Sequence, residues 1–89
     1  MVIKIANFGD MLMSRPAGRE AFMMGKAYIF KEIKEGEEII LDFNEVTVLA
    51  PSWADEFISG IKLEYSNALQ FINTDNPSVK ASLKTVLRG

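Results

Sequence analysis

The chain is expected to fold as an α/β domain in the order β-α-β-α-β-α, with a small, mostly parallel sheet. Three observations carry this. Apolar runs of strand length lie at Val2 to Ala6, Glu38 to Phe43 and Leu69 to Asn73. Between and after them, apolar residues recur with the helical period. The connections are short enough for right-handed crossovers, which make neighbouring strands parallel. At 89 residues the chain holds a single domain, 1–89, with little margin for a second core.

Val2 to Ala6 alternates apolar residues around Lys4, as a strand with one wetter face does. Asn7-Phe8-Gly9-Asp10 is a turn. Met11-Leu12-Met13 leads to Ser14-Arg15-Pro16, a helix entry because proline suits the first turn. This helix is expected to run to about Lys34 and to end at Gly36, a natural C-cap. Its apolar face carries Gly18, Ala21, Phe22, Gly25, Ile29 and Ile33. Glycine inside a helix costs about 1 kcal/mol relative to alanine, so Gly25 needs a reason. With Gly18 and Ala21 it is read as letting the helix backbone approach a sheet closely.

Glu38 to Phe43 is a near-continuous apolar run, the pattern of a central strand covered on both faces. The next helix, from about Trp53 to Ser66, places Ala54, Phe57, Ile58, Ile61 and Tyr65 on one face. Leu69 to Asn73 is a short strand, and Asn73-Thr74-Asp75-Asn76-Pro77 is loop and cap. A last helix, Ser78 to about Leu87, is expected to bury Val79, Leu83, Val86 and Leu87. The core should include Ile39, Leu41, Phe57, Ile61, Phe71 and Leu83.

Composition narrows the function. A net charge of −2 with scattered basic residues gives no broad footprint for a nucleic-acid backbone. Cysteine and histidine are both absent, which removes disulfides, thiolate chemistry, the usual zinc ligands and the base of a catalytic triad. Only oxygen-ligated metals such as magnesium remain. Asp42, Asp55, Glu56 and Asp75 are explained without one, since Asp55 and Glu56 complement a helix dipole and Asp42 suits a loop N–H. No catalytic residue, metal or cofactor is therefore expected. Met1-Val2-Ile3-Lys4-Ile5 is too short and too alternating for a signal peptide, and no apolar run approaches the length of a membrane span. A cytoplasmic address with no membrane partner follows as the default.

In an open α/β sheet, functional groups collect beyond the carboxyl ends of the strands. Those ends carry Asp42 and Asn44 after one strand, and Asn73, Thr74, Asp75 and Asn76 after another. Ser52 lies between them at the start of a helix, and the loop at Ala6-Asn7-Phe8 is expected at the same edge. Ser52-Trp53-Ala54-Asp55 fits the capping-box pattern, so Ser52 is expected to accept a hydrogen bond from the N–H of Ala54 or Asp55. The same hydroxyl is placed to serve as a phosphoacceptor or partner contact, because a helix N-terminus favours negative charge. Trp53 either packs on the sheet edge or stands partly exposed as an aromatic anchor. Met11, Met13, Met23 and Met24 fill core gaps or line a surface, and some are expected to be exposed.

The run Leu41-Asp42-Phe43-Asn44-Glu45-Val46-Thr47-Val48-Leu49, with Ser52 then leading into an apolar helix, resembles the STAS domain of anti-sigma-factor antagonists. More narrowly, Ser14-Arg15-Pro16-Ala17-Gly18-Arg19-Glu20, Pro51-Ser52-Trp53-Ala54-Asp55-Glu56-Phe57 and Asn73-Thr74-Asp75-Asn76-Pro77-Ser78-Val79-Lys80 are similar to a STAS-like bacterial and phage family of unestablished function. The resemblance covers nearly the whole chain. In the antagonists the loop ends in Asp-Ser-Ser-Gly, and an anti-sigma kinase phosphorylates the second serine. Ser52 falls on that serine. Ala50 stands for the aspartate, Pro51 for the first serine and Trp53 for the glycine, so the kinase-recognition motif is altered. Set against full-length antagonists, the chain is expected to lack the extra N-terminal strand and the last strand–helix elements, leaving a minimal version of the sheet.

The resemblance implies a non-enzymatic regulatory domain that docks on a protein partner through the edge around Ser52, Trp53, Asp55, Asp42 and Asn44. Its implied partner is a histidine-kinase-like ATPase or anti-sigma factor. One alternative is a small-ligand or nucleotide-binding module using Asn73, Thr74 and Asn76. The other is a structural homo-oligomer, a homodimer in the simplest case, burying Trp53 and the methionines.

Overall fold

A computed structural model of the protein describes residues 1–88. Its main sheet has three strands, β1 (Val2–Lys4), β3 (Ile39–Asp42) and β5 (Leu69–Ile72), in the order β1-β3-β5. Both pairings are parallel, with Ile3 opposite Leu41 and Leu41 opposite Phe71. Two further two-residue strands, β2 (Met11–Leu12) and β4 (Val48–Leu49), pair in parallel as a separate small ribbon. The helices are α1 (Arg15–Tyr28), α2 (Pro51–Glu64) and α3 (Pro77–Arg88). The α/β class, the parallel sheet and the central place of β3 all agree with the sequence. The β2–β4 ribbon was not anticipated; runs of two residues carry no period.

The sheet is covered on one face only, contrary to the expectation for β3. Ile39 and Leu41 are fully buried, whereas Ile40 and Asp42 between them are half-buried. Their partners on the second face include Val2, Lys4, Gln70 and Ile72, all exposed. Continuous apolarity in β3 therefore overstated its burial. All the expected core residues lie in the core except Phe71, which is half-buried on the edge strand.

The first helix is shorter than its apolar pattern. Ser14 caps it by accepting a hydrogen bond from the N–H of Ala17 at 3.2 Å, and Pro16 lies in the first turn. It stops at Tyr28, and a 3₁₀ turn, Phe30–Glu32, follows. The reason is Phe30, whose ring folds back against Gly25. A methyl group at position 25 would stand 2.5 Å from the ring. Gly36, expected as the helix C-cap, instead takes a left-handed conformation (φ 80°) in the turn closed by Glu37 N–H to Lys34 C=O.

The glycines serve helix contacts rather than a helix–sheet contact. A methyl at Gly18 would come 2.6 Å from the backbone carbonyl oxygen of Trp53, and Gly60 of α2 lies under the ring of Phe22. The two helices thus meet nearly backbone to backbone. Arg15 pairs with Asp55 near their first turns and Lys26 with Glu64 near their last, so α1 and α2 run side by side in the same sense. Aromatic rings fill the space beneath, with Trp53 stacked on Phe57 at 5.0 Å between centroids and Phe30 edge-on to Phe57.

The third helix is fastened by Asn76, which the sequence placed in a loop and cap, and by two serines that the sequence reading did not single out. Asn76 caps it, its Oδ1 accepting from the N–H groups of Ser78 at 2.7 Å and Val79 at 3.2 Å. Ser78 and Ser82, one turn apart, hold the main chain of Leu49 in β4. Ser78 Oγ accepts from Leu49 N–H at 3.0 Å, and Ser82 Oγ donates to Leu49 C=O. Ser82 is buried, with Val79 and Leu83 beside it. Val86 is half-buried and Leu87 exposed, because α3 lifts away from the core toward its end. No helix among the described residues is long and apolar enough to cross a membrane.

Candidate functional site

The turn between β4 and α2 decides where Ser52 points. Ala50 is extended (φ −83°, ψ 143°) and occupies the N-cap position, its carbonyl accepting from Ala54 N–H at 3.1 Å. Pro51 is the first helical residue, where a fixed φ and a missing N–H both suit. Ser52 is therefore the second helical residue. Its hydroxyl does not cap the helix, as the capping-box reading had it, but donates at a long 3.4 Å to the carbonyl of Met13. Proline took the helix start one residue earlier than the pattern implied, and no side chain caps α2.

Ser52 is half-buried at the rim of an open cleft of about 800 Å³ between α2 and the end of α3. One stripe of α2, Ser52, Asp55, Ser59 and Lys62, lines it together with Arg15 and Thr85. Arg15 Nη1 lies 2.9 Å from Asp55 and 3.4 Å from Glu56. Ser59 donates to the other oxygen of Asp55 at 3.0 Å. The Arg15 hydrogen bond, then that of Ser59, holds the Asp55 carboxyl below its usual range. Asp55 in turn, with Glu56, raises Arg15 further above its ordinary value. The cleft thus presents a weakly held hydroxyl and, on the same lining, a guanidinium occupied by two carboxylates. Both charges are largely exposed, so this pairing is readily exchanged for a stronger one.

Trp53 follows Ser52 but lies inside. Only 2% of it is exposed, stacked on Phe57 and facing Phe8. Of the two readings of Trp53, packing is the one that holds, and it offers no anchor to a partner.

The remaining candidate residues form a second group at the carboxyl ends of β3 and β5. Asp42 Oδ1 accepts from Asn44 N–H at 2.9 Å and from the Asn73 side-chain amide at 2.8 Å. Those two bonds, Asn73 first, lower its pKa. Asn73 and Glu45 both adopt the left-handed conformation (φ 56° and 71°), which asparagine tolerates better than glutamate. Asn76, besides capping α3, donates its amide to the carbonyls of Val46 and Thr47. Thr74 is half-buried beside it. This group ties the loops together, and among the described residues no hydrogen bond joins it to Ser52.

Arg15, Ser59, Lys62 and Thr85 of the cleft were missed by the sequence reading. Ser59 and Lys62 continue the α2 stripe begun by Ser52 and Asp55 at helical spacing, a signal that was present. Arg15 and Thr85 come from other helices, and only packing brings them there. Among the described residues, no group of three or more acidic side chains stands close enough to hold a metal ion.

A family model described as a STAS-like domain of unknown function (DUF4325) matches residues 26–79. That span contains Ser52, Asp55 and the whole Asp42–Asn73 group, while Arg15 and the β1–β2 segment lie before it. No curated protein and no solved structure matches the chain significantly.

Proposed function

The chain belongs to the family of STAS-like domains of unknown function, and from that membership we propose a non-enzymatic regulatory domain that docks on a protein partner through the edge at Ser52. The partner in this reading is a histidine-kinase-like ATPase or anti-sigma factor, the kind that STAS domains of antagonists meet. The observation that carries it is the position of the Ser52 hydroxyl, held only by a long bond to the Met13 carbonyl. It stands on the surface of the first turn of α2, unused as a cap, with Arg15 across the same cleft. A phosphate on Ser52 would gain from the helix N-terminus and draw Arg15 away from Asp55, whose carboxylate it would repel. The cleft would then reverse its arrangement of charge without any change of fold.

The test is calorimetric titration against a histidine-kinase-like ATPase of the kind that partners STAS domains, taken from the same genome, for wild type, Ser52→Ala and Ser52→Asp. Ser52→Asp should weaken binding by about tenfold or more, an effect of at least about 1.4 kcal/mol, with Ser52→Ala close to wild type. Equal affinities for all three proteins would remove this edge as the interface. Arg15→Gln adds a second readout. If Arg15 answers the new charge, the variant should blunt the difference between Ser52→Asp and wild type.

A further inference from the structure

We infer that two copies of this chain pair through the methionine-lined groove between α1 and β2, on the side of α1 away from the Ser52 cleft. The groove has a volume of about 1000 Å³ and is floored in part by Trp53. Met11, Met23, Met24 and Tyr28 line it at exposures of 60%, 55%, 56% and 73%. The other exposed large hydrophobic residues among those described are Val2, Met13, Leu63, Ile72 and Leu87, of which only Met13 adjoins it in sequence. These four side chains gather around one groove, and clustered exposed apolar side chains mark contact sites more often than scattered ones do. Methionine suits such a contact because its unbranched side chain adapts to the surface opposite.

Charge selects the occupant. Of the four charged residues of α1, Arg15 and Lys26 pair with α2, whereas Arg19 and Glu20 have no ion-pair partner among the described residues. Both line the groove, adjacent in sequence. The patch therefore carries one cation and one anion, both unpaired, and no net charge. A nucleic acid or a strongly acidic or basic partner would call for a single sign. A two-fold axis instead sets a surface against itself, so residue i meets j and j meets i. Arg19 of each copy then faces Glu20 of the other, and both charges are matched at once.

Sedimentation velocity over a concentration series tests this, with circular dichroism to confirm folding. Wild type should show a reversible dimer. Met24→Glu should raise the dissociation constant by about tenfold or more, while Leu63→Glu, exposed but outside the groove, should leave it unchanged. Arg19→Glu alone should weaken the dimer, and the exchange Arg19→Glu with Glu20→Arg should restore it. Since both charges lie on an exposed helix face, the exchange remains informative even if Met24→Glu fails to fold. A monomer at every concentration overturns the proposal and leaves the groove to another protein. So does a dimer indifferent to Met24→Glu, or one that the exchange does not restore.

Discussion

Between Ser52 and Trp53 the helix turns by about 100°, and that rotation carries one side chain to the cleft and the next into the core. Their adjacency in sequence invited a joint role at a surface, which burial of the indole rules out. Asp42 was better legible, since a carboxylate closing a strand before Asn44 has a loop N–H within reach. What sequence could not supply was Asn73, thirty-one positions away, brought there by strand pairing. Its bond has a consequence for pH. The Asp42 carboxyl is lowered in the folded protein, so its stabilisation is complete above the unfolded value near pH 4 and is lost as pH falls through the lower folded value. Asp42→Asn keeps an oxygen acceptor but no charge, and should flatten this part of the acid limb. Denaturation curves from about pH 2 to pH 5 would show it; an unchanged acid limb would mean that the two bonds favour neither protonation state.

For the elements, periodicity located the faces and misplaced an end. Gly18, Ala21, Phe22 and Gly25 share a buried face as the 3.6 period implied, and so do the apolar residues of α2. The pattern ran on through Ile29 and Ile33 because both pack against the core without being helical. Only the fold-back of Phe30 onto Gly25 distinguishes the two situations, and that is a tertiary contact. Glycine content was informative in kind, a demand for close approach, but not in its object. The least yielding approach is Gly18 to the Trp53 carbonyl, which belongs to backbone and cannot move aside. Gly18→Ala should therefore gain nothing from helix propensity and cost about 1–3 kcal/mol through overpacking. Urea unfolding measures this; a neutral or stabilised variant would mean that α1 and α2 separate without penalty.

Across the whole molecule, α3 holds the small ribbon to the main body, and it does so with hydroxyls. Ser82 is buried among apolar residues and donates to the Leu49 carbonyl. Its removal leaves that carbonyl only the longer contact from Ser78 at 3.3 Å. Ser82→Ala should cost about 1–2 kcal/mol and lower the urea midpoint with little change in slope. A changed slope would instead report that α3 had come away from the rest. Serines at i and i+4 on an otherwise apolar face were visible in the sequence as a departure from pattern. What they bind was not, because β4 is too short to announce itself. The same limit hid the uncovered face of the sheet, since apolar residues of β3 point both ways whether or not anything lies above them.

Parallel pairing throughout has a kinetic consequence. No two neighbouring strands of either sheet are joined by a hairpin, so no local contact can start them. Ile3 must find Leu41, and Leu41 must find Phe71, each closing a loop of roughly thirty to forty residues before any strand contact rewards it. For so small a protein the search is long. Refolding should resemble that of mixed two-state domains of intermediate contact order rather than that of a helical bundle. Until β3 is available, β1 has no strand partner, and Lys4 is the one charge on it that discourages pairing with a neighbour.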